Sequence, residues 1–86
     1  MAADWIIDKS HVGHFTLAKQ YGTVSLCTIP VRIYDGDNVL YLEGRVSERM
    51  LDSDESDAFF LLDEAAADLG ATRMDYKDSV RGWKTL

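Results

Sequence analysis

Residues 54–69 contain neither proline nor glycine, are rich in helix formers, and run up to Gly70, where a left-handed residue would close a helix. No other stretch constrains the fold as much. Asp52-Ser53-Asp54-Glu55 supplies a capping side chain followed by acids facing the positive end of the helix dipole. The remainder of the chain reads as strand. Trp5-Ile6-Ile7 is a short apolar run, and residues 23–34 are rich in β-branched side chains. Asp35-Gly36-Asp37-Asn38 tolerates positive φ and closes a hairpin spanning 31–46. Thr72, Met74 and Tyr76 alternate with Arg73, Asp75 and Lys77 in a half-buried strand, and Asp78–Gly82 turns the chain into a last strand through Trp83. Residues 10–22 fit either period. The bracketing Gly13 and Gly22 favour a strand there. Pro30 cannot donate to a ladder, which places its strand at an edge or at a bulge.

A sheet and an amphipathic helix must each bury one apolar side. The expectation is therefore an α+β fold in a single domain, 1–86: a small antiparallel sheet of about 4–6 strands, with a single helix (about 54–69) across one face. On a helical wheel Ala58, Phe59, Leu62, Ala65, Ala66 and Leu69 share one sector. The predicted buried face is Phe59, Leu62, Ala66 and Leu69.

A chain of 86 residues has room for one core and little else. Cys27 is the sole cysteine, so no internal disulfide forms; the N-terminal MAADWIID carries aspartates where a signal peptide carries positive charge; no apolar run approaches bilayer length. These features predict a cytoplasmic protein. The net charge of −6 argues against direct binding to nucleic acid or to an anionic membrane, and is compatible with a basic protein partner.

Catalytic signatures are sparse. His11 and His14 form an H-x-x-H pair, but a metal site needs further ligands. Asp8 and Cys27 are candidates that nothing in the sequence brings near. Cys27 shares strand parity with Ile29, Val31 and Ile33, and reads as a buried, inert thiol. The glycines form no phosphate-binding loop or nucleophile elbow. Tyr21, Tyr34 and Tyr41 are expected to pack across strands, since the sequence shows no basic residues interleaved with them. The expectation is a non-enzymatic protein without metal or cofactor.

One surface feature stands out. Between Arg49 and Arg73 there is no basic residue, while Asp52, Asp54, Glu55, Asp57, Asp63, Glu64 and Asp68 all fall in that stretch. Helices commonly balance acids with Lys or Arg one turn on, and Asp68 would face the negative end of the dipole. Asp57, Glu64 and Asp68 lie within about 40° of one another, flanked by Phe60 and Leu61. Asp54, Asp57, Phe60, Leu61, Asp63, Glu64 and Asp68 therefore make up the candidate partner-binding surface: an aromatic anchor with a charged rim. The acids run at about half the linear charge density of duplex DNA, which allows partial mimicry of nucleic acid.

In size, acidity and α+β outline the chain resembles, by type and without a shared motif, the small anti-CRISPR and anti-restriction inhibitors of phages and mobile elements. The resemblance implies an inhibitor or adaptor that binds a basic surface of a protein partner, such as a nucleic-acid-binding protein. Two alternatives are an accessory or immunity-type subunit with an apolar or sheet-edge interface, and a small metal-dependent hydrolase using His11 and His14.

Overall fold

The computed structural model describes residues 3–52 and 55–86. Six strands form one antiparallel sheet: β1 (Trp5–Ser10), β2 (Gln20–Tyr21), β3 (Cys27–Tyr34), β4 (Leu40–Ser47), β5 (Arg73–Asp78) and β6 (Gly82–Thr85), in the order β2-β1-β4-β3-β5-β6. The expected α+β fold is present. A short 3₁₀ turn (Val24–Leu26) precedes β3. Helical segments α1 (Glu48–Asp52), α2 (Glu55–Ala58) and α3 (Phe60–Leu69) lie between β4 and β5. Among the described residues no helix is long and apolar enough to cross a membrane.

The predicted hairpin is β3–β4. Its turn is closed by the Asp35 carboxylate, which accepts from the backbone N–H groups of Asp37 and Val39, and Asn38 takes a φ of 63°. Pro30 does not mark an edge strand, because β3 is interior. It sits one residue beyond Val31–Tyr76, the end of the β3–β5 pairing, and β3 shifts register between Cys27 and Ile29. The missing N–H thus falls where one neighbour has already ended. The true edges are β2 and β6.

The sheet contributes Trp5, Val31, Ile33, Leu42, Val46 and Met74 to the core, and the helices contribute Met50, Leu61, Leu62 and Ala65. Gly70 closes α3 with φ 75°, as expected. Four expectations are corrected. The helix predicted over 54–69 is broken at Phe59, a turn residue between α2 and α3 (Ser53 and Asp54 lie outside the described residues). Its buried face is Ala58, Leu61, Leu62 and Ala65; Phe59 and Leu69 are half-buried and Ala66 is exposed. An additional helix, α1, lies earlier and replaces the expected single helix with more than one; Ser47 just before it accepts the Met50 N–H through Oγ, as an N-cap does.

Residues 10–22 are the fourth correction. Only Ser10 and Gln20–Tyr21 belong to strands, and the intervening loop is pinned rather than paired. The Trp5 indole donates to the Ala18 carbonyl at 2.8 Å, the Ile7 N–H donates to Lys19, and the Leu17 side chain is buried. These anchors satisfy polar groups that a ladder would otherwise have to satisfy.

β1 shifts register between Ile7 and Lys9, and at that bulge it closes on Gly44 of β4. A Cβ on Gly44 would lie 2.2 Å from the Ile6 carbonyl oxygen, so the two backbones approach closer than any other residue allows. Gly44→Ala is expected to destabilise the protein by about 1–3 kcal/mol in a urea titration, with the cost of overpacking. A loss below about half a kcal/mol would mean that the bulge yields freely.

Candidate functional site

Two surfaces lie on opposite sides of the sheet: the helical layer, and a sheet face that no helix of the described residues covers.

On the helical layer the predicted residues have separate fates. Asp63 and Glu64 are exposed on α3. Asp57 is half-buried and takes part in an interaction of its own. Asp54 lies outside the described residues. Leu61 is fully buried and is removed from the surface altogether. Phe60 is half-buried in an aromatic group: its ring stands edge-on to both Trp5 (5.3 Å) and Tyr21 (5.2 Å), which stack on each other at 4.6 Å. Trp5 and Tyr21 are register partners across β1 and β2, so the expected cross-strand packing of Tyr21 is realised.

Asp68 is a structural clasp. Its carboxylate accepts from the Thr16 N–H at 2.6 Å, from the Thr16 hydroxyl, and from the Leu17 N–H at 3.3 Å. The Thr16 hydroxyl and amide hold it below the usual carboxylate range. This explains an acid at the unfavourable end of a helix: it ties the 11–19 loop to α3. Other acids extend the layer. Glu48 and Asp52 on α1 are exposed, and both border a hollow lined also by Ser25, Leu26 and Thr28. Arg49, the one base of residues 48–69, is bonded through Nε and Nη2 to the two oxygens of Asp4, each at 2.7 Å.

Sequence reasoning missed the Asp4 centre entirely. Asp4 is fully buried, and besides Arg49 it accepts from the Ser47 hydroxyl at 2.7 Å and the Thr23 N–H at 2.6 Å. The Arg49 guanidinium outweighs the cost of burial and holds this carboxyl far below its ordinary value. Gly22, with φ 69°, makes room: a Cβ there would lie 2.3 Å from the Ala3 carbonyl and 2.4 Å from the Asp4 carboxylate.

The candidate chemical residues are dispersed. His11 pairs with Glu43 at 2.9 Å, while His14 is exposed on the loop. Cys27 is buried beneath the 3₁₀ turn, where burial pushes its thiol up. Asp8 is held bidentately by Arg45 and pulled below the usual carboxylate range. Among the described residues no three His, Cys, Asp or Glu side chains converge in a metal-holding group.

The uncovered sheet face carries a row of register partners, Lys9–Glu43–Arg32–Asp75–Thr85. Around it stand Arg45, Arg73, Lys77, Tyr34 and Trp83. The Arg32 guanidinium lies 4.2 Å from the Trp83 ring centroid, and Arg73 lies 4.2 Å from that of Tyr34. Bases and aromatic rings do interleave here, contrary to expectation, because strand pairing joins residues that are distant in sequence.

No family model, curated protein or solved structure matches this chain.

Proposed function

We propose that this chain is a non-catalytic binding protein of the cytoplasm, an inhibitor or adaptor that engages a basic surface of a protein partner through its helical layer. The observation that carries this reading is an excess of acid over base. Glu48, Asp52, Asp63 and Glu64 are exposed, and the only base of residues 48–69, Arg49, is bonded to Asp4. Such a surface raises encounter rates with a cationic partner and disfavours anionic ones. The narrower form of the reading, an inhibitor of a nucleic-acid-binding protein in the manner of phage anti-defence proteins, rests on the resemblance in size and acidity. With Leu61 buried, Phe60 packed and Asp68 bonded to the loop, the contact set reduces to Asp63 and Glu64 with Glu48 and Asp52.

The test uses Asp63→Asn/Glu64→Gln, which leaves the clasp and the core untouched. A partner captured at low salt and then purified should associate about tenfold more slowly with this variant, with a shallower salt dependence and little change in dissociation. Unchanged association with the fold intact would reduce the acidic layer to a solvated face.

A further inference from the structure

The net charge of the whole chain disfavours nucleic acid, but the fold separates that charge. Five of the nine bases, Lys9, Arg32, Arg45, Arg73 and Lys77, stand on the uncovered sheet face with three acids, Asp8, Glu43 and Asp75. The face is locally positive on an acidic protein. It also holds Trp83, 38% exposed, on the edge strand beside a groove of about 340 Å³ that Lys9, Pro30, Arg32 and Arg45 help to line.

We propose that this sheet face binds single-stranded nucleic acid, stacking a base at Trp83 and meeting the backbone phosphates with Arg32, Lys9 and Lys77. Sequence-tolerant single-strand sites combine exposed aromatic rings with a basic track, and both occur here. The bases are not equally free to serve. Arg45 is closed by its bidentate pair with Asp8, and Arg73 is held by Asn38 and Tyr34. Arg32 meets Glu43 only at 3.7 Å and lies over the Trp83 ring, so most of its five donors remain available to a phosphate. Lys9 and Lys77 are exposed. Distance decides whether the acidic layer would prevent binding. The smallest dimension of the molecule is 21 Å, and charge interactions decay over about 8 Å at physiological salt. For Arg32 and Lys9, across the sheet, the repulsion is largely screened, whereas Lys77 borders a hollow that Glu48 and Asp52 also line. This inference is independent of the reading above, which concerns the opposite side.

A fluorescein-labelled twelve-nucleotide oligothymidylate, followed by anisotropy at about 50 mM and 300 mM salt, tests it. Saturable binding is expected, with quenching of Trp83; Trp5 is buried and contributes little change. Affinity should fall with salt at a slope of about −2, as three phosphate contacts to a single strand require. Arg32→Gln and Trp83→Ala should each weaken binding about tenfold while keeping the parent's circular dichroism and thermal transition. Absence of saturable binding at low salt, equal binding of both variants, or equally good competition by a polyglutamate peptide of the same charge would each overturn the proposal. Normal binding by Asp63→Asn/Glu64→Gln is expected.

Discussion

Asp4→Ala is expected to remove about 2–4 kcal/mol of stability in urea denaturation, enough to threaten a domain of this size. The carboxylate joins three elements that are otherwise held mainly by packing: the start of β1, the 3₁₀ turn through Thr23, and α1 through Ser47 and Arg49. Its removal leaves the Ser47 hydroxyl buried without its acceptor. The same centre sets an acid limit. Because the folded-state pKa is depressed, its contribution is complete above the ordinary carboxylate value of about 4 and is lost as pH falls below it toward the folded value. Asp68 and Asp8, likewise lowered by their hydrogen-bond partners, push in the same direction. Stability measured from pH 6 to pH 2 should therefore fall steeply in the parent and more gently in Asp4→Asn. Parallel curves would show that Asp4 is not a major source of acid sensitivity.

Leu61→Ala should cost about 2–5 kcal/mol, since the side chain is fully enclosed beneath the sheet, whereas Ala66→Gln should change stability by no more than about half a kcal/mol. Helix periodicity alone led to the reverse assignment, with Ala66 in the core and Leu61 at the interface. Urea titration of the two variants separates these orientations directly. A tolerated Leu61→Ala beside a damaging Ala66→Gln would rotate α3 by nearly a quarter turn.

The source of that misreading is local. Residues 58–62, Ala-Phe-Phe-Leu-Leu, are apolar all the way round, so hydrophobicity does not settle the phase of the helix. The sheet decides it: Leu61, Leu62 and Ala65 reach the core formed by Trp5, Val46 and Met74, and Phe60 is left to meet Trp5 and Tyr21. Signals held within a few residues were legible, including the Asp35–Asn38 turn, the Gly70 stop and the alternation of β5. Ser47 before Glu48 was a capping signal for α1 that could have been read. Interactions that span the chain were not legible. Asp4 to Arg49, Thr16 to Asp68 and Arg32 to Trp83 depend on strand order, which no local pattern carries. The candidate surface was read as one acidic stripe because Asp68 could not be assigned to a loop 52 residues away.

The strand order also dictates a sequence of events in time. β3 and β4 are joined by the short turn 35–39 and can zip as soon as both exist, whereas β1 must wait for β4 across the segment 11–39. Closing that longer loop, between two and three doublings in length, costs roughly 1.5 kcal/mol more in chain entropy. As the chain leaves the ribosome, β1 emerges first and stays unpaired until Val46 has followed, with its apolar Trp5-Ile6-Ile7 uncovered. The β3–β4 hairpin is thus expected to form first, with β1 docking onto its far side afterwards. β2, reaching the sheet only through Trp5 and Ile6, can join no earlier. Burial of Trp5 is expected to follow the hairpin, while β5 must wait for β3 across the still longer segment 35–72.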